Sequence, residues 1–302
     1  MSTVQESLVA TGVSGLDDVL QGGLVPNRLH LVLGSPGAGK TTLALQFLLE
    51  GERKGERSLY VTLSETRDEL IAIAKSHGFA VEDLNIFEFL AFQDNFLPEA
   101  QYTVFHPSDV ELTQTVKAFM DEVERVQPAR VAIDSLSEMR LLAQDPLRFR
   151  RHILALKQFF AGRGITVLLL DDHGVGHPDV QLESIAHGVV QLEQLAPMFG
   201  AERRRFRVLK MRGRAYRGGY HDFRIERGGL AIFPRLVVSE HHATAPEKLI
   251  KSGIANLDSL LGGGVHSGTS TLLLGPAGTG KTTLATQYAL AAAKNGGRAA
   301  IF

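Results

Sequence analysis

The residues from Gly34 to Thr41 read GSPGAGKT and fit the pattern G-x-x-x-x-G-K-[ST] at every fixed position. Glycines in such a loop let successive backbone N–H groups turn toward phosphate oxygens, and the start of the following helix adds positive potential. The lysine of the pattern reaches the β- and γ-phosphates of a nucleotide, and its threonine binds Mg²⁺. The alternative is a glycine-rich turn with a chance lysine. The pattern predicts a site for ATP and Mg²⁺ formed by Gly34, Ser35, Pro36, Gly37, Ala38, Gly39, Lys40, Thr41 and Thr42.

Two elements must hold this loop in place. The apolar run Leu29–Leu33 ends at the first glycine and has the length of a buried parallel strand. Apolar residues such as Leu43 and Phe47 then follow helical spacing, which predicts a helix from Lys40 to about Arg53. A strand, a glycine-rich turn and a helix in this order are the context that the phosphate-binding pattern requires.

The same segment occurs twice in the chain. Residues 11–61 align with residues 252–302 without a gap, at the offset that separates Gly34 from Gly275, and 20 of the 51 aligned positions are identical. Similarity at a fixed offset indicates a tandem duplication. We expect a complete first domain at 8–240, a linker at 241–251 and only the beginning of a second domain at 252–302, as in a fragment of a longer chain. The second copy repeats the phosphate-binding pattern, with candidate ligands Gly275, Gly278, Gly280, Lys281, Thr282 and Thr283.

Because the second copy lacks the rest of a sheet, we expect it to bind nucleotide poorly.

The first copy continues with strands and helices in alternation. We predict helices after the capping boxes at Thr66 and Ser108 and after Asp145-Pro146, and strands at Ser58–Leu63, Arg130–Asp134, Ile165–Leu170 and Gly188–Leu195. This order predicts an α/β fold with a mostly parallel sheet covered by helices on both faces.

Further along, the stretch from Arg204 to Pro234 alternates polar and apolar residues around two glycine pairs. It predicts antiparallel hairpins at the edge of the sheet.

Two carboxylates complete the predicted site. Asp134 ends a buried strand downstream of the loop and is followed by a serine, which favours a role in holding Mg²⁺ together with Thr41. Hydrolysis of ATP needs a carboxylate that orients the attacking water. In RecA-like ATPases, which this chain resembles, that carboxylate usually lies just after the strand next to the phosphate-loop strand. We expect Ser58–Leu63 to be that strand, which makes Glu65 the candidate. The alternative for Glu65 is a first-turn glutamate that stabilises a helix dipole.

Several segments together resemble the KaiC family of ATPases, which includes the cyanobacterial clock protein. They are TGVSGLDDVLQGGL, the phosphate loop, YVTLSET, VAIDS and RRFRVLKMRG. The resemblance covers essentially the whole chain, and the doubled domain is itself a trait of the family. It implies a RecA-like P-loop NTPase fold and a homo-oligomeric ring, usually a hexamer, with ATP between neighbouring subunits. RadA-type recombinases share the fold but are less similar.

The resemblance also implies roles for particular residues. Lys210-Met211-Arg212-Gly213 resembles the family segment that reaches the γ-phosphate of the neighbouring subunit, and strand alternation puts Lys210 and Arg212 on one face. Lys40, Glu65, Lys210 and Arg212 are thus the catalytic candidates, and the alternative for the last two is a solvated basic hairpin. Two consecutive glutamates follow the second strand in the family, but here Ser64 replaces the first. The autophosphorylated positions of the family's second domain lie beyond Phe302, so the resemblance does not extend to autokinase activity in this chain.

Two clusters have other possible explanations. Residues 202–227 contain ten Lys or Arg and three Asp or Glu, which suits either a nucleic-acid surface or the subunit interface just described. We favour the interface, because the net charge of −1 does not indicate a polyanion-binding protein. Asp171, Asp172, His173 and His177 could bind a metal, but their place after a strand favours a polar network near the γ-phosphate.

Composition sets the remaining limits. The chain has no cysteine, which excludes disulfides and thiol catalysis, and its apolar runs are too short to span a bilayer. The polar N-terminus lacks the pattern of a signal peptide, so we expect a soluble, cytoplasmic protein without a membrane partner. The favoured function is a KaiC-like ATPase that acts as a nucleotide-driven switch on itself and on regulatory proteins. The alternatives are a RadA-like DNA-dependent ATPase and a nucleotide-binding scaffold that does not hydrolyse ATP.

Overall fold

The computed structural model describes residues 7–89, 107–172, 180–237 and 248–302, with the backbone alone at 107–115 and 180–181. The chain divides into two compact units, Met1–Arg235 and Leu236–Phe302. The first unit contains a large sheet with its helices, and the second contains the repeated segment.

Strands and helices alternate through most of the first unit. Its helices are α1 (Leu16–Val19), α2 (Lys40–Arg53), α3 (Arg67–Ser76), α4 (Pro107–Val126), α5 (Leu136–Ala143), α6 (Pro146–Phe160) and α7 (Val180–Ile185). Its strands are β1 (Leu29–Gly34), β2 (Ser58–Thr62), β3 (Asn85–Glu88), β4 (Arg130–Asp134), β5 (Thr166–Asp172), β6 (Gly188–Leu195), β7 (Arg203–Met211), β8 (His221–Glu226) and β9 (Gly229–Phe233). Among the described residues, no helix combines the length and the apolar character that crossing a membrane requires.

The nine strands form one sheet in the order β3-β2-β4-β5-β1-β6-β7-β8-β9. From β3 to β6 every neighbouring pair is parallel. From β6 to β9 the pairs are antiparallel. The predicted α/β fold is therefore confirmed, both in its parallel part and in the hairpins at its edge.

The sheet separates two apolar cores. Successive residues of a strand point to opposite faces. In β1, Val32 packs into the core that contains α2 and α3, whereas Leu31 and Leu33 pack into the core that contains α4, α5 and α6. All of β1 is buried, as expected for a parallel strand covered by helices on both faces. This double burial fixes the end of β1, where the phosphate loop begins.

Local signals placed two helices correctly. Thr66 caps α3 through a complete capping box with Glu69, and Asp145 accepts a hydrogen bond from Leu147 N at the start of α6. Helix α4 begins at Pro107, but the side chains of the predicted capping box at Ser108 lie outside the described residues.

One expectation about the sheet is wrong. Strand β2 is not the neighbour of β1, because β4 and β5 lie between them. The chain leaves room for two later strands when it crosses from β1 to β2, and sequence order alone does not reveal such a gap. The short elements β3, α5 and α7 also have no counterpart among the predicted ones.

The second unit repeats the opening of the first. It contains β10 (Leu249–Ile250), α8 (Ala255–Leu260), β11 (Val265–His266) and α9 (Lys281–Lys294). The antiparallel pair Ile250–Val265 corresponds to the bridge Val9–Leu24 in the first unit. The duplication is therefore visible in the local structure as well as in the sequence.

Candidate functional site

The phosphate loop connects β1 to α2 and needs its glycines. A Cβ at Gly34 would lie 2.9 Å from Leu192 O and 3.1 Å from the Ala38 Cβ, so a larger residue would displace strand β6 or the loop. Gly37 and Gly39 have φ of +78° and +105°, a conformation that L-residues with side chains rarely adopt. Helix α2 begins directly after Gly39, so its unpaired N–H groups and its dipole face the loop.

Lys40 lies inside the loop with its side chain only 7% exposed. Its Nζ donates hydrogen bonds to Gly34 O at 2.8 Å, to Ser35 O at 3.2 Å and to Asp172 Oδ1 at 2.8 Å. The ammonium group is thus held at the centre of the loop, where the phosphates of a nucleotide would bind.

Thr41 and Asp134 meet at the start of α2. Thr41 Oγ1 donates to Asp134 Oδ2 at 2.8 Å, and the Tyr60 hydroxyl donates to the same oxygen at 2.5 Å. Burial, and after it the charge of Asp134, raises the pKa of Tyr60 well above its usual value, so this hydroxyl remains a donor. A hydroxyl and a carboxylate side by side are oxygen donors that suit Mg²⁺, which takes few protein ligands and completes its shell with phosphate oxygens and water.

Glu65 follows β2, the strand beside β4. The Thr62 hydroxyl donates to Glu65 O at 2.8 Å and accepts from Glu65 N at 3.0 Å, which fixes the turn that carries Glu65. Among the described residues, Glu65 Oε2 is buried without a hydrogen-bond partner. Burial raises the pKa of Glu65, and the negative charges of Asp134 and Glu69 raise it further. Ser64, at the position of the first family glutamate, is exposed.

A network of polar side chains from the end of β5 and from α5 lies beside Lys40. Asp172, at the end of β5, accepts from Lys40 through one oxygen and from Ser137 Oγ at 2.8 Å through the other. The buried Asp171 accepts two hydrogen bonds from Arg140, at 3.1 and 2.7 Å. This is the polar network expected from the sequence at Asp171-Asp172, whereas His173 and His177 lie outside the described residues.

The roles of Tyr60, Ser137 and Arg140 were not predicted. Tyr60 lies within an apolar strand, and Ser137 and Arg140 belong to the unpredicted helix α5. The Asp134-Ser135 pair marks the end of β4, but Ser135 makes no capping hydrogen bond from its side chain that would announce α5.

Other contacts of the phosphate-loop residues are made with His77, with the apolar core and with strand β7. Thr42 Oγ1 lies 3.3 Å from His77 Nε2, and Ala38 is fully buried against the core. Arg204 donates to Gly37 O at 2.8 Å, which joins β7 to the exposed tip of the loop at Pro36 and Gly37.

Lys210 and Arg212 lie at the opposite end of the sheet. Lys210 pairs with Val189 near the start of β6, whereas the loop begins beside Leu192, farther along the same strand. Lys210 Nζ donates to Glu183 O, and Arg212 donates to Ser184 O at 2.6 Å, so both contact the last turn of α7. The structure therefore does not bring them to the phosphate loop of their own chain.

The basic strip of residues 202–227 is largely engaged within the chain. Arg205 and Arg207 lie 2.9 and 3.8 Å from Glu193, and Arg203 lies 3.4 Å from Asp222. These contacts favour a structural or interface role over a free nucleic-acid surface.

The second phosphate loop has the same turn but a different environment. Gly278 and Gly280 both have φ of +81°, and Lys281 Nζ donates to Gly275 O at 2.7 Å and to Pro276 O at 2.6 Å. Thr282 and Thr283 are exposed. Residues 270–275, which correspond to β1, form no strand in the described part of this unit.

A loop, a lysine, a threonine–aspartate pair and a separate glutamate at the carboxyl ends of parallel strands define a P-loop ATPase of the RecA-like type. The comparisons with known proteins agree with this class. The family model of the KaiC ATPase matches residues 9–237 and again residues 250–302. The chain belongs to the KaiC ATPase family.

Individual relatives show the same relationship. The chain is 30% identical to the circadian clock oscillator protein KaiC of Acaryochloris marina, over 99% of this chain and 58% of the relative. It is 28% identical to the circadian clock protein KaiC2 of Synechocystis, over 95% of this chain and 51% of the relative. The chain thus spans little more than half the length of these curated relatives.

A solved structure supports the fold. The KaiC-like protein of Pyrococcus horikoshii superposes with a TM-score of 0.63, covers 75% of this chain and 99% of its own, and is 24% identical. This similarity confirms the RecA-like fold that was expected from the sequence.

Proposed function

We propose that the first unit binds MgATP at the loop Gly34–Thr42 and hydrolyses it. The observation that carries this proposal is the convergence of Lys40, the Thr41–Asp134 pair and Glu65 at one edge of the sheet, from strands β1, β4 and β2. Ligands of α/β proteins bind at the carboxyl ends of parallel strands, and this is where all four side chains lie.

Each side chain has a distinct task in this proposal. Lys40 and the backbone N–H groups of the loop bind the phosphates, and Thr41 and Asp134 hold Mg²⁺, which neutralises phosphate charge when bound. Glu65 orients the attacking water and accepts its proton. Its raised pKa suits a proton acceptor, and its Oε2, which has no hydrogen-bond partner in the described part of the chain, can accept from the attacking water.

Lys210 and Arg212 act on the nucleotide of a neighbouring subunit. Their support is that neither reaches the loop of its own chain. Lys210 lies near the end of β7, and Arg212 lies in the turn just after that strand and not on its face as expected, but both contact α7. A positive charge supplied across an interface is worth about 10³–10⁵ in rate in related NTPases. This role requires a homo-oligomeric ring, for which we propose a hexamer. Nucleotide state would then change ring shape and affinity for regulatory proteins.

The domain boundaries belong to the same proposal. A complete ATPase domain at 8–240, a linker at 241–251 and a second-domain segment at 252–302 agree with the division into Met1–Arg235 and Leu236–Phe302 to within a few residues at the first boundary. Serine/threonine autokinase activity would require parts of a second domain that residues 252–302 do not provide.

Turnover measured against protein concentration tests the proposal. Wild type is compared with Glu65→Gln, Arg212→Ala and the control Arg214→Ala, an exposed arginine two residues farther along. We expect turnover to rise with assembly, both site variants to lose it, and the control to keep it.

Mixing the two inactive variants makes the test sharper. In a mixed ring, an Arg212→Ala subunit keeps its Glu65 and can receive the arginine of a Glu65→Gln neighbour, so part of the turnover should return. Without recovery, the assignment of Arg212 to the neighbouring site is wrong. If wild type binds ATP but shows no turnover at any concentration, the chain is a nucleotide-binding switch, consistent with Ser64 in place of a glutamate.

A further inference from the structure

All three hydrogen-bond donors of the Lys40 ammonium group have acceptors among the described residues of the chain. A lysine has three N–H donors. Those of Lys40 are taken by Gly34 O, Ser35 O and Asp172 Oδ1. Because the side chain is nearly buried, water does not readily replace these partners. A nucleotide phosphate that binds Lys40 must therefore displace at least one of them.

Asp172 is the partner that a phosphate competes with most directly. The two carbonyl oxygens are neutral and belong to the loop itself, whereas Asp172 carries a charge of the same sign as the phosphate. Burial opposes the ionisation of Asp172, but the hydrogen bonds from Lys40 and Ser137 outweigh it and lower its pKa. The carboxylate is thus ionised at neutral pH, when nucleotide would arrive.

A second hydrogen bond keeps Asp172 in place when Lys40 no longer donates to it. Its other oxygen accepts from Ser137 Oγ at 2.8 Å, and Ser135 Oγ donates to Ser137 Oγ at 3.0 Å. Both serines follow Asp134, which belongs to the predicted Mg²⁺ site. Asp172 can therefore exchange Lys40 for the start of α5 without losing all of its donors.

We propose that Asp172 is the counter-ion of Lys40 in the empty site and determines how the site distinguishes triphosphate from diphosphate. The γ-phosphate takes the place of the carboxylate on Lys40, and the repulsion between the two anions weakens triphosphate binding. A diphosphate brings only its β-phosphate to Lys40, to which one of the two carbonyl oxygens can yield, so it disturbs the Lys40–Asp172 pair less than a triphosphate does. This inference rests on the proposed ATP site. It adds to that site a carboxylate, Asp172, that competes with the γ-phosphate for Lys40.

Binding of MgADP and of Mg²⁺ with a non-hydrolysable ATP analogue tests the inference on the full 302-residue chain. Asp172→Asn removes the charge and keeps the size. We expect it to tighten triphosphate binding about tenfold, since like charges a few ångströms apart repel strongly in a partly buried site. Diphosphate binding should change by less than about threefold. Asp222→Asn, the same substitution at an exposed position of strand β8, should change neither affinity.

The melting temperature of the nucleotide-free chain separates this role from a merely structural one. Asp172→Asn leaves the nearly buried Lys40 without its counter-ion, so the empty protein should melt lower while its triphosphate affinity rises. A purely structural residue would lower both. Triphosphate affinity that falls or stays unchanged in Asp172→Asn overturns the inference and leaves the proposed ATP site intact.

Ser137→Ala provides a second variant, with the opposite expected sign. Without the hydrogen bond from Ser137, Asp172 keeps its ion pair with Lys40, and triphosphate binding should weaken about two- to threefold. Equal or tighter binding in this variant contradicts the exchange of partners. If the wild type binds neither nucleotide, the proposed function fails, and this inference fails with it.

Discussion

The two phosphate loops of this chain have the same sequence pattern in different surroundings. In the first, β1 is buried on both faces, Lys40 is 7% exposed, and Asp134 and Asp172 contact the residues that open α2. In the second, the residues that correspond to β1 form no strand, and Lys281 bonds only to two carbonyl oxygens of its own loop among the described residues. The loop forms a similar turn in both units, with left-handed glycines at corresponding positions.

The difference shows which parts of the site are local. Glycines and a lysine within eight residues suffice to form the turn, because its hydrogen bonds are short-range. The carboxylates come from strands β4 and β5, which lie 93 and 132 residues from the loop along the chain. Helix α2 buries a broad apolar face that includes Leu43 and Phe47, whereas α9 buries only Ala291. A complete site therefore depends on the whole sheet, and the motif alone does not provide it.

The largest expected effect comes from the two lysines. Lys40→Ala should reduce ATP affinity about 10²–10³-fold, because it removes charged hydrogen bonds to phosphate, each worth about 1.5–3 kcal/mol. Lys281→Ala should leave affinity nearly unchanged, since its loop lacks the carboxylates and the strand. Fluorescent nucleotide titration of both variants measures the difference. Equal losses would show that the two loops bind nucleotide equally well and that the surrounding sheet is not needed.

The second largest effect is expected from substitution of Glu65, and it concerns ATP turnover and not ATP binding. Glu65→Gln should lower turnover about 10²–10⁴-fold with ATP affinity retained, because it removes the proton acceptor and not a phosphate ligand. The raised pKa of Glu65 also predicts that wild-type turnover falls on acidification at a higher pH than an ordinary glutamate would give. A pH–rate profile measures this, and an acid limb at the usual glutamate pKa would contradict the assignment.

The same raised pKa has a consequence for stability. A carboxyl whose pKa is raised on folding stabilises the folded state only while it is protonated, and this contribution is lost as pH rises through the folded-state pKa. At neutral pH, Glu65 is ionised beside Asp134, so Glu65→Gln should raise the melting temperature of the nucleotide-free chain. A lower melting temperature would show that Glu65 has a stabilising partner.

Glycine substitutions compare the packing around the two loops. Gly34→Ala should destabilise the first unit by about 1–3 kcal/mol, because the new methyl group meets a backbone oxygen of β6 and the buried Ala38. At Gly275 the methyl group would meet chiefly the side chain of Thr279, which can rotate away, so Gly275→Ala should cost little. Denaturant unfolding of the two variants tests this, and similar losses would show that the second loop is also tightly enclosed.

Sequence reasoning recovered the local part of the molecule and, among the non-local contacts of the site, the Thr41–Asp134 pair that the phosphate-loop pattern implies, but it missed others. The strand before the loop, α2 and the capping box at Thr66 follow from residues close in sequence. The hydrogen bond from Tyr60 to Asp134 joins residues 74 apart, and the pair Lys40–Asp172 joins residues 132 apart. Neither could be derived before the sheet order was known, and β2 was wrongly placed beside β1 for the same reason.

The smallest effect is expected at the opening segments of the two units, which have the same hydrogen bonds. Thr11 donates through its backbone N–H and its hydroxyl to Asp17, at 3.0 and 2.8 Å, and Ser252 does the same to Asp258, at 2.7 Å for both. Asp17→Asn and Asp258→Asn each keep an acceptor and lose only its charge. We expect a modest and similar increase in the hydrogen-exchange rate of the Thr11 and Ser252 amides, within about tenfold, since each bond keeps its acceptor and loses only the assistance of the charge.

Acidification extends this last comparison to the wild type. The hydrogen bonds from Ser252 lower the pKa of Asp258, so protection of the Ser252 amide should persist below the usual aspartate range and be lost only as pH falls through the lowered value. Exchange is compared at each pH with that of an unstructured reference peptide, which removes the intrinsic pH dependence. If Ser252 loses protection at the ordinary aspartate pKa, or if Asp258→Asn has no effect where Asp17→Asn does, the opening of the second unit is not held as that of the first is. The two units would then share the turn of the phosphate loop but not the stability of the segment before it.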